Sequence, residues 1–187
     1  MDKLTSSEKR IRVVLLTTLT CIATMVIKLE IPTGGYVNLG DGFVLTCGMV
    51  LGPLPGALSA GTGCALADLL GGYTAMAPAT FVIKAFTATA AAICYRLLKK
   101  KTYTGRYDYM NTAISGAAGE LLMVSGYFLY TLLLMIYQNN RLNRSILTSA
   151  IYTAARGIPY NLLQAAIGIM MATILTPVIA RLLSKSK

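Results

Sequence analysis

The chain has 187 residues, of which 55% are hydrophobic and only 13% are charged. Together with a mean hydropathy of +0.62, this composition excludes an ordinary water-soluble domain. The sequence contains no GxxxxGK[ST] stretch and no histidine, which excludes ATP hydrolysis through a P-loop of its own and Ser-His or Cys-His catalysis. The composition therefore predicts an integral membrane protein that is not an enzyme.

The formal net charge of +10 comes from basic residues that flank apolar runs. This placement indicates membrane topology, because a nucleic-acid site would gather the basic residues in a stripe. The four cysteines fall inside apolar segments without CxxC spacing, so the sequence predicts neither a disulfide framework nor a zinc site.

Apolar runs of membrane-spanning character predict a single transmembrane domain over residues 1–187, an all-α bundle of about six transmembrane helices. The second helix is short for a full crossing, and Pro78 suits the first position of the fourth. Turn-rich segments at 31–35, 52–56 and 71–73 separate neighbouring helices. The predicted helices span residues 11–29, 41–51, 55–70, 78–98, 109–137 and 147–183.

Basic residues also predict the orientation of the bundle. They concentrate at both ends of the chain and in the loop after the fourth helix, and cytoplasmic loops carry an excess of Lys and Arg. With six spans, these three places share one side, so both termini are predicted to be cytoplasmic. Arg141 and Arg144, in the loop between helices five and six, are the exception.

Small residues recur at three- and four-residue spacing in the third helix, for example at Gly56, Ala60 and Gly63. Such stripes let helix backbones approach closely in lipid. We expect ordinary packing within this chain, since a face for another membrane subunit requires further evidence.

A few charged residues lie at membrane depth, where charge is costly and is therefore paired or functional. Asp41 and Asp68 are expected near the outer ends of helices two and three, where a capping or loop-fixing role is favoured over ligand contact. Lys84 lies about two turns into the fourth helix, so its amine is expected to meet either Asp68 or a ligand oxygen.

Polar residues on the last two helices predict a binding site. Glu120, Tyr127 and Tyr130 share one face of helix five by their spacing. Helix six offers a matching set of polar residues: Arg156, Tyr160, Asn161 and Gln164. Together these groups suit the binding of a small polar aromatic ring.

Two alternatives remain for these polar residues. They could form hydrogen bonds between helices that only stabilise the bundle. Glu120 could also relay protons in a stand-alone proton-coupled secondary transporter of a small polar solute.

Six segments of the sequence carry a resemblance to a known family. They are GYVNLGD at 35–41, LGPLPGAL at 51–58, ALADLLGGY at 65–73, APATFVIK at 77–84, GYFLY at 126–130 and IPYNLLQ at 158–164. With these segments the sequence resembles the S components, or substrate-binding subunits, of energy-coupling factor (ECF) transporters, in the branch with riboflavin, pyridoxine and hydroxymethylpyrimidine transport proteins. The resemblance runs in order over nearly the whole chain.

The resemblance implies a multi-pass protein of the bacterial cell membrane that captures a vitamin from outside and delivers it by toppling in the membrane. It implies a transmembrane T component and two cytosolic ATPase subunits as partners, which bind the ATP, so that this chain needs no cofactor. The ligand is expected to be pyridoxine or hydroxymethylpyrimidine, ahead of riboflavin.

The family's pocket is built from the loops after helices one and three and from helices four to six. The face of helix one that usually meets the T component is alanine-rich, whereas this chain offers Thr17, Cys21, Ala23 and Thr24 there. The resemblance implies these substrate-binding residues: Gly35, Tyr36, Asn38, Asp41, Tyr73, Lys84, Glu120, Tyr127, Tyr130, Asn161 and Gln164.

Overall fold

The structure, a computed structural model, describes residues 6–26, 28–30, 36–99, 106–139 and 143–185. Within these residues the chain forms six α-helices and one two-stranded antiparallel hairpin. The elements are α1 (Ser6–Val26), β1 (Lys28–Glu30), β2 (Tyr36–Asn38), α2 (Gly40–Leu51), α3 (Pro53–Leu70), α4 (Ala77–Lys99), α5 (Arg106–Gln138) and α6 (Arg144–Lys185).

The hairpin is the main departure from the predicted elements. The first helix was predicted to continue through residue 29, but α1 ends at Val26, and β1 pairs with β2 so that Leu29 lies opposite Val37. A short apolar run does not by itself distinguish a helix from a strand, and here pairing with β2 decides the conformation. The predicted bounds of the other five helices lie within three residues of those in the structure.

The short helix α2 lies at the centre of the bundle, in contact with α1, α3, α4 and α6. Nine of its twelve residues are buried, and at 1.5 Å per residue it is about 18 Å long, well short of a ~30 Å hydrocarbon core. Gly52 turns the chain directly into α3 with a positive φ of 93°, a conformation that favours glycine. The surrounding helices thus enclose a segment too short to cross the membrane alone.

The glycines of α3 allow close packing within the chain. A Cβ atom at Gly56 would lie 2.6 Å from the Cys47 carbonyl oxygen of α2, and one at Gly63 would lie 2.7 Å from the Thr17 carbonyl oxygen of α1. The expectation that this small-residue stripe serves internal packing is therefore confirmed.

Three described helices are long and apolar enough to cross a membrane: Ala77–Lys99, Asp108–Gln138 and Arg144–Leu183. The first turns of α1 carry several charges, α2 is short, and α3 is rich in small residues. The predicted count of six spans therefore stays a prediction. The Arg12 guanidinium donates to the Leu183 carbonyl over 2.6 Å, which places the start of α1 and the end of α6 at the same end of the bundle.

Candidate ligand-binding cavity

A cavity of about 50 Å³ lies at the opposite end of the bundle, beneath the hairpin. It is bordered by α1, β2 and α3 on one side and by α4, α5 and α6 on the other. Its walls combine aromatic, amide, hydroxyl and charged side chains. The lining residues are Thr24, Tyr36, Asn38, Cys64, Asp68, Met76, Thr80, Lys84, Tyr127, Tyr130, Thr131, Ala154, Gly157, Asn161 and Gln164.

A buried ion pair forms the base of this cavity. The Lys84 ammonium of α4 pairs with the Asp41 carboxylate of α2, and both side chains are 1% exposed or less. Gln164 of α6 donates its amide to the second oxygen of Asp41 over 2.6 Å. Of the two alternatives predicted for Lys84, pairing with Asp68 was wrong, because α2 packs between α4 and α6 and brings Asp41 to the amine. Contact with a ligand oxygen stays a prediction, and Lys84 lines the cavity.

Two amide side chains connect this ion pair to the hairpin. The Gln164 carbonyl oxygen accepts from the Asn38 backbone N–H over 2.9 Å, and the Asn38 side chain accepts from the Gly40 N–H over 2.8 Å. Both bonds are buried, where a lost partner is costly. The position of β2 over the cavity is therefore set by the same amide that contacts Asp41.

Tyrosines of α5 form an aromatic wall. Tyr127 and Tyr130 both line the cavity, and the Tyr127 hydroxyl donates to the Thr80 hydroxyl over 3.5 Å. The Lys84 nitrogen lies 5.3 Å from the centroid of the Tyr127 ring, within cation–π range. An aromatic face thus stands directly beside the charged base of the cavity.

A second tyrosine pair closes the outer side. The Tyr36 hydroxyl donates to Asp68 over 2.5 Å, and its ring lies 4.9 Å from the ring of Tyr73. The Lys28 nitrogen lies over both rings, at 4.5 and 5.5 Å from their centroids. Burial, and then the hydrogen bond to Asp68, raise the pKa of Tyr36 above its ordinary value, so the phenol stays a donor.

Tyr73 itself does not line the cavity. Its hydroxyl donates to the exposed Glu30 carboxylate over 3.0 Å, and its ring packs on the outer side of Tyr36. The structure therefore places this predicted binding residue one layer outside the cavity, as a support for the hairpin.

Glu120 lies deeper than the cavity. It is 2% exposed, and a Cβ atom at Gly168 would lie 2.8 Å from Asp41 and 3.2 Å from a Glu120 carboxylate oxygen, so both acids flank the same part of α6. Neither carboxylate oxygen has a hydrogen-bond partner among the described residues. Glu120 does not belong to the cavity lining, and its predicted contact with the ligand stays a prediction.

The model of the family described as "ECF-type riboflavin transporter, S component" matches residues 5–181. The chain belongs to this family. The S component is also similar to a solved structure described as "Structure and mechanism of the S component of a bacterial ECF transporter", with a TM-score of 0.62, 16% identity, and coverage of 97% of this chain and all of the other. At 16% identity, this structural similarity is evidence for the fold alone.

A curated relative, "Uncharacterized protein in gap 3'region" of Pyrococcus woesei, is 36% identical over 107 residues. The match covers 57% of this S component and 66% of the relative, so it spans somewhat less than two thirds of the relative's length.

Family membership confirms the resemblance drawn from the sequence motifs. The S component is an integral, multi-pass membrane protein of a vitamin-uptake transporter family, and the family is one of transporter subunits, not of enzymes. S components of ECF transporters work with a T component and ATPases.

Two residues of the predicted polar face of helix six point elsewhere in the S component. Arg156 and Tyr160 are exposed, whereas Gly157, Asn161 and Gln164 line the cavity. The latter three follow the i, i+4, i+7 spacing of one helix face, and the first two lie on a neighbouring face. Including Arg156 and Tyr160 in the inward face was therefore wrong.

One of the α1 residues predicted to contact the T component is buried inside the bundle. Thr24 is 1% exposed, lies 3.7 Å from the Cys64 sulfur and lines the cavity, so its side chain is not available to a T component. Thr17, Cys21 and Ala23 are half-buried. Gly35, predicted to bind substrate, lies outside the described residues.

The sequence analysis did not predict several of the residues that line the cavity. Among them, Asp68 is the one with a carboxylate side chain. It was expected to serve as a cap or loop contact, yet it is 2% exposed and lines the cavity. A carboxylate at membrane depth was the available signal. Cys64, Thr80 and Thr131 gave no such signal, because small polar residues are common in helix packing.

Proposed function

We propose that this S component captures a small, water-soluble, hydroxylated aromatic heterocycle, with pyridoxine or hydroxymethylpyrimidine ahead of riboflavin. The observation that carries the proposal is the combination of ring faces and hydrogen-bonding groups around one cavity. Tyr127 and Tyr130 supply the aromatic wall, and Asn161 adds an amide on the facing helix. An aromatic ring stacks on such a wall while polar edges fix its orientation.

The size of the cavity supports a single ring over a flavin. Its volume of about 50 Å³ is small beside the roughly 300–1,000 Å³ of ordinary ligand sites. A tricyclic flavin with its ribityl chain requires a larger displacement of the hairpin than a substituted pyridine or pyrimidine does. Riboflavin is the second candidate, because the family model bears its name.

The charge distribution supports an outward-facing cavity. Lys9, Arg10, Arg12 and Arg96 border the opposite end of the bundle, and basic residues concentrate on the cytoplasmic side. We infer that both termini are cytoplasmic and that the hairpin faces the outside, where a vitamin arrives.

Release requires partners. A capture protein that binds tightly delivers its ligand only if another state with lower affinity becomes populated. We infer that a T component and two ATPases, which bind the ATP, drive that shift, and that the T component docks on α1 near Thr17, Cys21 and Ala23.

The decisive experiment begins with mass spectrometry of small molecules released by denaturing the detergent-purified protein. Calorimetric titration with pyridoxine, hydroxymethylpyrimidine and riboflavin follows. Asn161→Ala is expected to weaken binding by about tenfold, the value of a typical lost hydrogen bond. The matched control is Leu162→Ala, whose side chain is 54% exposed on the same helix and should leave affinity within about twofold.

Two results would contradict the proposal. If the protein retains no vitamin and binds none of the three, the substrate class is wrong. If a vitamin binds but Asn161→Ala leaves its affinity unchanged, the cavity is not the site.

A further inference from the structure

Asp68 presents an unsatisfied acceptor at the wall of the cavity. Its Oδ1 accepts from the Tyr36 hydroxyl, but no described residue donates to its Oδ2. The side chain is 2% exposed and belongs to the cavity lining. Leaving a buried carboxylate oxygen without a donor is costly, so such an atom in a binding cavity is suited to a donor on the ligand.

The Asp68 carboxylate has no cation as a direct partner. The Lys84 ammonium is paired with Asp41, so its charge is balanced within the protein. Asp68 forms no ion pair with any residue in the described part of the chain. The Lys28 amine lies against the rings of Tyr36 and Tyr73 and donates to the Ala67 carbonyl oxygen. The cavity wall is therefore locally negative at the Asp68 carboxylate.

We propose that Asp68 determines the ligand specificity of this S component: it accepts a hydrogen bond from an O–H or N–H of the ligand and excludes phosphorylated or carboxylated ligands. The inference rests on the proposed function, since it concerns the same cavity. The protein then captures the free vitamin and rejects its phosphate ester.

Electrostatics at this depth makes the exclusion strong. A phosphate ester brings charge of about −1.5 to −2 at neutral pH, and charges inside a protein are screened far less than charges in water. The Lys84 ammonium adds no net positive charge to the cavity, because its charge is balanced by the Asp41 carboxylate. Juxtaposed like charges cost several kcal/mol at an interface, which corresponds to a factor of at least about 100 in affinity.

The test measures affinities for matched pairs on the full chain in detergent. The pairs are pyridoxine with pyridoxine 5′-phosphate, hydroxymethylpyrimidine with its phosphate, and riboflavin with flavin mononucleotide. The wild-type protein is expected to bind the free member of one pair at least about 100-fold more tightly than the ester.

Asp68→Asn is expected to move the two affinities in opposite directions. The free vitamin loses a charged acceptor and binds about tenfold more weakly, whereas the ester binds more tightly because the repulsion is gone. Tyr36→Phe is the control: it removes the partner of Asp68 but keeps the carboxylate, so both ligands weaken and their ratio stays at the wild-type value.

The outcomes separate the two proposals. If no free vitamin binds the folded wild-type protein, the proposed substrate class is wrong and this inference falls with it. If a free vitamin binds and its ester binds within about threefold, the proposed function stands and this inference is overturned, whether or not Asp68→Asn folds. Equal weakening of both ligands by a folded Asp68→Asn protein also overturns it, because that is the result of a purely structural role.

Discussion

Lys84 and Asp41 form a buried ion pair that joins α4 to α2 at the base of the ligand cavity. The pair is held from a third side by the Gln164 amide of α6, and that amide in turn receives the backbone N–H of Asn38 in the hairpin. The base and the cover of the cavity thus belong to one hydrogen-bonded network.

Breaking one side of the ion pair should destabilise the protein. Lys84→Met and Asp41→Asn each leave an uncompensated buried group, which costs about 3–5 kcal/mol when a buried pair loses one partner. The double variant removes both charges and should recover part of the loss. Thermal unfolding in detergent measures this, and a double variant destabilised by the sum of the two single-variant losses would show that the two residues are not energetically coupled.

Glu120→Gln should keep ligand affinity within about threefold and should not lower the melting temperature. The carboxyl group is buried, lacks a described hydrogen-bond partner and lies outside the cavity lining, so an amide of nearly the same shape removes neither a protein hydrogen bond nor a lining group of the cavity. Calorimetric titration and thermal unfolding check the two halves of the prediction. A tenfold loss of affinity would instead restore the ligand-binding role that the sequence pattern predicted.

Tyr36→Phe should accelerate ligand dissociation by about tenfold, because the hairpin loses its partly buried hydrogen bond to Asp68. Tyr73→Phe is the matched change on the outer ring: its bond to Glu30 is exposed, so dissociation should change by less than about twofold. Stopped-flow dissociation with excess unlabelled ligand measures both rates. Equal effects from the two variants would argue against a special role for the inner tyrosine.

The contribution of Tyr36 should not vary with pH between about 6 and 9. Burial, followed by the hydrogen bond to Asp68, raises the pKa of this phenol in the folded protein. Its stabilisation is therefore fully present below the ordinary tyrosine pKa of about 10 and is lost only as pH rises through the higher folded value. The difference in melting temperature between wild type and Tyr36→Phe is the readout, and a steady decline from pH 6 to 9 would contradict the prediction.

Gly56→Ala should destabilise the bundle by about 1–3 kcal/mol, the usual cost of overpacking. The added methyl would lie 2.6 Å from the Cys47 carbonyl oxygen, which is fixed backbone. Gly116→Ala is the control, because its methyl would meet side-chain atoms of Ile169 and Leu45 at 3.3 Å, and these can shift. Thermal unfolding of the two variants should therefore differ, and equal stabilities would show that the α2–α3 contact tolerates separation.

The sequence by itself determined that this is an integral membrane protein, because its hydrophobic composition and long apolar runs require a lipid environment. Ordered motifs over nearly the whole chain also identified the family, which the family model confirms. Helical spacing placed Tyr127 and Tyr130 on one face, and the structure brings both to the cavity. Local pattern suffices for such features, since period and composition are properties of single segments.

The tertiary structure decided which polar groups meet. Nothing in the sequence selects Asp41 over Asp68 as the partner of Lys84, because that choice depends on α2 packing between α4 and α6. The inward position of Thr24, the deeper position of Glu120 and the pairing of β1 with β2 likewise depend on distant segments. Helical periodicity places residues on a common face but does not decide which neighbouring helix that face contacts. Long-range packing decides this, and so it determines that Asp68 borders the cavity whereas Glu120 lies beneath it.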